Sequence, residues 1–458
     1  MSLRNSLLVV NLAAFWSSPA AAHVSEQGFV LLLPTGAYIT AGVAVVALTV
    51  VTLFLVPERA VRRLFATRPI TPRHFDRTVV LTSLGSFAVM CFGIYLGLFG
   101  SRDPLSNLLP LGFWTVGWIV LVTLAAFVGN LWIWINPWTG IYRLIGPKHP
   151  LLALPKAAGV WPATLLLLAF AGFLLADPAP DDPARLAYLI AGYWSVTFAG
   201  MIIFGPGWCN QAELGHVLFA AFAKLAPLRL QSDAGIGGPG WQVVSGKPVF
   251  GLGAFALMML GVGSFDGLNE TFWWLGQIGV NPLEFPGRSA VIGVTLTGLI
   301  GSFIGLTVVL GLTVWLGILI GRADVAFLQV YGSLALCVLP IALVYHIAHY
   351  LTAFLVGIQY TIAALSDPFA NGADFLGIEP FRVTTGFFNR IDTVRLIWTT
   401  QAGLVVIGHV WSILLAHRVA TDLFGDHHKA AIATLPLSLF MIAYTFLGLW
   451  LLAAPKGA

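Results

Sequence analysis

Residues 325–360 read VAFLQVYGSLALCVLPIALVYHIAHYLTAFLVGIQY, a run without a single Asp, Glu, Lys or Arg. About 20 apolar residues in a helix cross the hydrocarbon core of a bilayer. This run is longer, so a helix formed by it must tilt or bend. Pro340 lies inside the run and predicts a kink or a break, because proline has no N–H to donate to the helix. The stretch therefore predicts a transmembrane helix with an internal irregularity.

The whole chain has the composition of a membrane protein. It has 458 residues, of which 58% are hydrophobic and only 9% are charged, whereas soluble domains carry about 25% charged residues. This composition excludes a soluble enzyme. The sequence also has no stripe of Lys and Arg residues, which excludes a nucleic-acid partner. The lipid bilayer is the predicted partner. The predicted fold class is all-α: a polytopic transmembrane helix bundle of about ten spans after a cleaved signal peptide.

Ten apolar segments are predicted as spans from their length and hydrophobicity. They are Pro34–Val56, Thr78–Phe99, Gly112–Ile135, Trp161–Ala176, Leu186–Phe204, Val249–Phe265, Ser289–Ile320, Val325–Tyr360, Val394–Ala416 and Ala430–Leu452. The amphipathic segment Glu213–Leu228 is predicted to lie on the membrane surface. No internal repeat is evident in the sequence, which argues against an inverted-repeat transporter.

The N-terminus has the pattern of a secretory signal peptide. Arg4 precedes the apolar run Leu7–Trp16, and Ala20-Ala21-Ala22 follows as a cleavage site. Residues 1–22 are therefore predicted to be removed, with an uncleaved anchor as the alternative. Residues 23–458 are then predicted to form a single transmembrane helical domain that begins at His23.

The charges of the connecting segments predict an orientation. If the mature N-terminus is outside and the spans alternate, the inner segments hold fifteen Lys and Arg against seven Asp and Glu. The outer segments then hold seven Lys and Arg against twelve Asp and Glu. This asymmetry follows the positive-inside rule. It predicts a multi-pass protein of the bacterial inner (cell) membrane, with both termini of the mature chain outside.

Three histidines lie within predicted spans, where ionisable groups are costly and therefore functional candidates. His346 and His349 share one face of the eighth span, because they are three residues apart in a helix. His409 of the ninth span lies at a depth similar to that of His346, so the two are expected to face each other. Neutral imidazoles bind Zn, Cu and Fe, so the three are predicted metal ligands for Zn or Cu, and haem is a further cofactor. The alternative is that they form hydrogen bonds between helices, to Tyr345, Tyr350, Gln401 or backbone carbonyls.

Carboxylates follow the outer ends of two spans. Asp266 and Glu270 follow the sixth span, and Asp367 and Asp374 follow the eighth. Asp266 and Asp367 are the predicted catalytic residues, since a carboxylate at the mouth of a bundle serves as a general base or a metal ligand. The alternative is that these acids are solvated loop charges.

His23 is a further candidate metal ligand. As the mature N-terminus it would offer its amine and its ring nitrogen, a chelate suited to copper. The alternative is that histidine follows the cleavage site by accident.

Several motifs of the mature chain carry a resemblance to a known family. They are Ala22-His23 with Leu33-Pro34, Asn136-Pro137-Trp138, Ala199–Met201 with Phe204-Gly205, Ser264–Leu268, Pro340–Tyr350, Leu365–Phe369 and Gly408-His409. In them the chain resembles a bacterial family of multi-pass membrane proteins named fenitrothion hydrolase, over most of the mature chain. The resemblance implies hydrolysis of an organophosphorus triester at its P–O aryl bond, and it assigns no catalytic residue.

These observations leave three functional hypotheses. In the first, the protein hydrolyses an apolar phosphotriester in the outer half of the bundle, with His346, His349 and His409 on a metal and Asp367 as the base. In the second, it is a copper- or haem-binding membrane protein. In the third, it is a transporter, or a structural subunit whose partners are other membrane subunits.

Overall fold

The structure is a computed structural model that describes residues 28–72, 76–231, 234–246, 249, 251–284, 287–322, 324–378 and 380–456. The predicted signal peptide, residues 1–22, and His23 lie outside the described residues. Within the described ranges, nine helices are long and apolar enough to cross a membrane. A tenth apolar helix has 16 residues. The all-α polytopic bundle predicted from the sequence is confirmed.

Ten helices form the bundle, and we label them α1–α10. Their bounds are Thr35–Leu53, Asp76–Phe99, Leu108–Val128, Trp161–Ala176, Pro183–Phe204, Leu252–Asn269, Ile292–Gly321, Phe327–Ser366, Ile391–Phe424 and Leu435–Ala453. The helix α3 ends at Val128 and not at the predicted Ile135, because the chain turns at Gly129, whose φ is +114°. A positive φ of this kind is tolerated by glycine, which has no Cβ.

Short elements connect these helices. The short α-helices are Glu58–Leu64, Trp132–Ile135, Thr139–Ile145, Gly207–Ala212, Leu214–Ala223, Trp241–Val244, Phe272–Gln277 and His427–Ala433. The 3-10 turns outside α8 are Lys156–Ala158, Pro282–Glu284, Arg288–Ala290 and Gly386–Asn389.

A small three-stranded antiparallel sheet joins two distant connecting segments. Its strands are β1 (Thr67–Pro69), β2 (Leu228–Arg229) and β3 (Gly235–Gly237), in the order β1-β3-β2. Thr67 is paired with Gly237, and Leu228 is paired with Ile236. The sheet therefore ties the segment after α1 to the segment that precedes α6.

Two of the membrane helices are irregular. The middle of α3, Gly112–Leu121, is a π-helix between two α-helical parts. In α8, a 3-10 turn over Leu336–Val338 precedes the α-helix Leu339–Ser366. Pro340 lies in the first turn of this α-helix, where its missing N–H costs no hydrogen bond. The break predicted at Pro340 is confirmed.

The helix α8 lies at the centre of the bundle and packs against α3, α6 and α9. It approaches α9 closely at Gly408, where an added methyl group would lie 2.2 Å from Val344 Cγ2. The same methyl would lie 3.1 Å from the Pro340 carbonyl oxygen. Small residues allow membrane helices to approach in this way, so Gly408 sets the spacing of α8 and α9.

The amphipathic segment 213–228 is packed inside the protein, in contrast to the predicted surface position. Six of the ten residues in its helix, Leu214–Ala223, are buried. Glu213, only 1% exposed, begins this helix. Its carboxylate accepts hydrogen bonds from Trp132 Nε1 at 2.8 Å and from the Tyr193 hydroxyl at 2.7 Å. These bonds to other parts of the bundle hold the helix in the interior.

Replacing Gly408 by alanine is expected to destabilise the bundle, because the new methyl overlaps the Val344 side chain. Overpacking of this kind costs about 1–3 kcal/mol. Gly403→Ala is the matched control on the same helix, since a methyl there meets no atom within 4 Å. Thermal unfolding in detergent should give a lower midpoint for Gly408→Ala only. Equal midpoints for the two variants would contradict the close contact of α8 and α9.

Candidate functional site

Asp266 lies inside the bundle and not in an outer loop. The helix α6 continues one turn past the predicted Phe265, to Asn269, so Asp266 is a helical residue. It is 7% exposed. Its Oδ2 accepts a hydrogen bond from the Tyr350 hydroxyl at 2.7 Å and lies 3.0 Å from His349 Nε2. The structure therefore joins Asp266 and His349, two residues singled out from the sequence, and adds Tyr350; we call these three residues the Asp266 cluster.

Two glycines of α6 allow the cluster to form. A methyl group at Gly267 would lie 2.0 Å from the Tyr345 hydroxyl oxygen, and one at Gly263 would lie 3.1 Å from Tyr345 Cδ1. Tyr345 stacks on the His349 ring with an interplanar angle of 11°. The absence of side chains at these glycines brings α6 against α8, and Asp266 can then reach His349.

The Asp266 cluster holds a charge that the bilayer disfavours. An ionised carboxylate beside a neutral imidazole has a net charge of −1, whereas a carboxylate beside an imidazolium is neutral overall. Net charge inside a membrane costs several kcal/mol, so the two charge states of the pair differ in the cost of burial. Lys456 and Glu270 are further charged groups that act electrostatically on the cluster.

His346 is anchored to α3. Its Nε2 donates a hydrogen bond to the Trp118 carbonyl oxygen at 3.0 Å, in the π-helical part of α3. Its ring packs edge-on against the Trp118 ring, with centroids 5.1 Å apart, and against the Tyr350 ring at 5.0 Å. His346 therefore forms a hydrogen bond between helices, which was the alternative to its prediction as a metal ligand.

A small cavity adjoins the cluster. Its volume is about 30 Å³, and its polar wall is formed by Tyr345, His346, His349 and Tyr350. Such a space is large enough for water. It is far smaller than the roughly 300–1,000 Å³ of sites for drug-sized molecules. The cavity beside His349 therefore has room for water but not for a large substrate.

His409 belongs to a different environment. Its Nδ1 donates to the Val405 carbonyl oxygen at 2.8 Å within α9, and its ring lies near Tyr444 of α10. Its Nε2 is buried without a hydrogen-bond partner among the described residues. Val344 faces Gly408 of α9, and His346 lies two residues further, about 200° around the helix. His346 therefore points toward α3 and away from His409, in contrast to the expected juxtaposition.

The three predicted metal ligands are not gathered. Across the described ranges, no group of three or more His, Cys, Asp or Glu side chains is placed to hold a metal ion. His346, His349 and His409 contact α3, α6 and their own helix, respectively. The described residues therefore provide no three-ligand set for the predicted Zn or Cu site, and a haem site stays a prediction.

Asp367 organises its own loop at the end of α8. Its carboxylate accepts hydrogen bonds from the Asn371 N–H at 3.1 Å and the Gly372 N–H at 2.7 Å. Desolvation acts to raise the pKa of Asp367, but the bonds from backbone N–H groups outweigh it and hold the pKa below its ordinary value. Asp374 accepts from Ser366 Oγ at 2.8 Å, and Glu270 is exposed. The catalytic role of Asp367 stays a prediction.

Tyr350 and backbone carbonyls were among the partners that the sequence allowed for the histidines, and the structure selects Tyr350 and the Trp118 carbonyl. Tyr350 carries a signal, because it lies four residues after His346 and shares the helix face of His346 and His349. No signal in the sequence identifies the Trp118 carbonyl as a partner. Every residue has a backbone carbonyl, and only the packing of α3 selects this one.

Asp367→Asn is expected to accelerate amide hydrogen exchange at Asn371 and Gly372, because an amide accepts with one oxygen where the carboxylate uses two. The pKa of Asp367 is lower in the folded protein than its ordinary value. The stabilisation of the loop by the carboxylate is therefore complete above the ordinary pKa and is lost as the pH falls through the lowered pKa. In the wild-type loop, the protection of these amides relative to their intrinsic exchange rate at each pH should therefore fall only on strong acidification. Asp392→Asn, at a side chain that is 77% exposed, is the control. Unchanged exchange in Asp367→Asn would contradict the capping role.

Comparison of the chain with protein-family models, with curated proteins and with solved structures found no significant match. The functional interpretation therefore draws on the Asp266 cluster, on its water-sized cavity and on the motifs of the sequence.

Proposed function

We propose that this membrane protein binds and releases a proton at the Asp266 cluster, and that proton exchange there is coupled to transport. The observation that carries the proposal is Asp266 Oδ2, which accepts from Tyr350 and contacts His349 inside the bundle. Chains of Asp, Glu and His inside membranes are typical of proton relays in pumps and transporters. Hydrogen bonds between helices alone do not require a carboxylate at this depth.

The proton is exchanged between water and the imidazole. His349 Nε2 carries the hydrogen directed at Asp266, so in the neutral ring Nδ1 has the free electron pair. A proton taken up at Nδ1 gives an imidazolium paired with the Asp266 carboxylate. The hydroxyl of Tyr350 donates to the same oxygen and holds the carboxylate in place during the exchange. Water in the adjoining cavity, which His349 lines, supplies and removes the proton.

The irregular helices next to the cluster support a coupled movement. The π-helix of α3 ends at Leu121, and its Trp118 carbonyl holds His346. The 3-10 turn of α8 ends at Val338, two turns before His346. Such segments recur at functional sites and hinges, and interrupted helices are typical of transporter sites. A change of charge at His349 would therefore act on helices that bend easily.

The protein is proposed to lie in the bacterial inner membrane, in the orientation that the positive-inside rule predicts. The mature N-terminus would then be outside, and α6 would run outward. Asp266, three residues from the end of α6 at Asn269, would lie in the outer half of the bundle. The cluster would exchange protons more directly with the outer side than with the cytoplasm.

Asp266→Asn is expected to remove a pH-dependent carboxyl signal from the infrared difference spectrum of the protein in lipid. The amide cannot ionise, so His349 loses its counter-charge and its proton uptake shifts to lower pH. The measurement is infrared difference spectroscopy across a pH titration, with proton flux in proteoliposomes as a second readout. Wild type should show the Asp266 signal and the proton flux, and Asp266→Asn should show neither of these two.

Asp367→Asn is the matched control, because it makes the same change at a loop carboxylate. It should retain the proton flux and lose only the signal of its own carboxyl group. If Asp266→Asn and the wild type gave the same spectra and the same flux, the proposed proton site would be wrong. A lowered thermal midpoint identifies a variant that fails to fold, and the infrared comparison is then repeated with Tyr350→Phe, which removes one donor only.

A second candidate function is hydrolysis of a phosphotriester, as the family resemblance implies. The observation that favours it is the His349–Asp266 contact beside a water-sized cavity, because a carboxylate-oriented imidazole is a general base for water. The cavity would have to widen about tenfold to hold an aryl triester. Transport does not require the cavity beside His349 to widen, and hydrolysis is therefore the second candidate.

Hydrolysis is tested with purified protein and an aryl phosphotriester that releases a coloured phenolate. If the reaction occurs, His349→Gln should lower its rate by about 100-fold or more, in the range typical of a lost general base. His409→Gln, which alters a buried imidazole outside the cluster, should retain most of the rate. No turnover by the wild type, or equal rates in the two variants, would contradict a hydrolase site at His349.

A further inference from the structure

A second and larger cavity lies where α3 ends and α6 begins. Its volume is about 530 Å³, within the range of about 300–1,000 Å³ that is usual for small-molecule sites. Val128 and Leu252 mark the two helix ends in its wall, and the strand Leu228–Arg229 closes one side. The cavity is therefore large enough for an organic ligand.

The charged residues that line this cavity are both basic. Lys224 and Arg229 lie in its wall, and no carboxylate among the described residues forms an ion pair with either. Burial lowers the pKa of Lys224, and the positive charge of Arg229 lowers it further. An anion between the two side chains would relieve this repulsion.

Uncharged polar groups extend the basic wall. Gln242 also lines the cavity, and its Nε2 donates to the carbonyl oxygens of Ala223 and Ala226, both at 2.9 Å. These bonds fix the turn that carries Lys224. Asn130 Oδ1 is buried without a hydrogen-bond partner among the described residues and belongs to the same wall. Asn210, His216 and Gln231 are further polar residues of the wall, and most of the remaining lining residues are Val, Leu and Ala.

We propose that this cavity binds an anionic phospholipid, with the phosphate between Lys224 and Arg229 and an acyl chain along the apolar wall. Basic pockets between membrane helices recognise lipid headgroups in this manner. The combination of two cations with an apolar wall at the ends of membrane helices favours a lipid over free phosphate. The two basic residues give the preference for an anionic over a zwitterionic headgroup.

The lipid site is separate from the Asp266 cluster. Phe222 contacts the His346 ring, with centroids 6.4 Å apart, and lines the small cavity. Ala221, Ala223 and Lys224, its neighbours in sequence, line the large cavity instead. The two cavities therefore lie on different sides of the same short helix, and the lipid proposal does not depend on the proposed proton exchange.

The test is thermal unfolding of the full-length protein in detergent, titrated with phosphatidylglycerol or with phosphatidylcholine. A ligand that binds the folded state raises its midpoint. We expect phosphatidylglycerol to raise the midpoint at lower concentration than phosphatidylcholine. Lys224→Gln combined with Arg229→Gln should weaken the phosphatidylglycerol response by about tenfold or more, as expected for lost charge-assisted contacts.

Two variants control this experiment. Lys429→Gln removes one positive charge from an exposed residue outside the cavity and should keep the response. Lys224→Arg keeps the charge in the cavity and should also keep it, which separates loss of binding from loss of folding. Equal responses to the two lipids, or a double variant that responds as wild type does, would overturn the proposal. A response to inorganic phosphate alone that equals the response to phosphatidylglycerol would assign the site to free phosphate and overturn the lipid assignment.

Discussion

The cost of a net charge inside the bilayer is the constraint on which the arrangement at the centre of this protein depends. Asp266 is buried in α6, and an isolated carboxylate there would be expensive. Its cost is offset by two donors from α8, the Tyr350 hydroxyl and the His349 ring. Because both donors lie on one helix face, a single contact between α6 and α8 satisfies the carboxylate. The same contact places the Asp266–His349 pair beside a cavity that is large enough for water.

The helix packing follows from this contact and from the small residues that permit it. Gly263 and Gly267 bring α6 against Tyr345, and Gly408 brings α9 against the opposite face of α8. The helix α8 is thereby held between two neighbours, with His346 directed at a third, α3. The proposed coupling uses this central helix, which contacts three neighbours and has a 3-10 turn before its longest α-helical part.

Much of the fold was predictable from the sequence, because apolar runs longer than about 17 residues leave few alternatives to membrane helices. The shared face of His346 and His349 was predictable from helical periodicity, and the break at Pro340 from its missing N–H. The partners of that face were not predictable, since periodicity does not say which helix lies opposite. The position of Asp266 inside α6 depended on one further helical turn, and the packing of the Leu214–Ala223 helix depended on distant bonds to Glu213.

The central claim is that Asp266 controls the protonation of His349. The most direct measurement is solid-state nitrogen NMR of the histidine-labelled protein in lipid, with His349→Gln used to assign the His349 signals. In the wild type, the signals should change from neutral imidazole to imidazolium as the pH falls. In Asp266→Asn, the same change should occur only at lower pH. A His349 ring that titrates identically in both proteins would contradict the account.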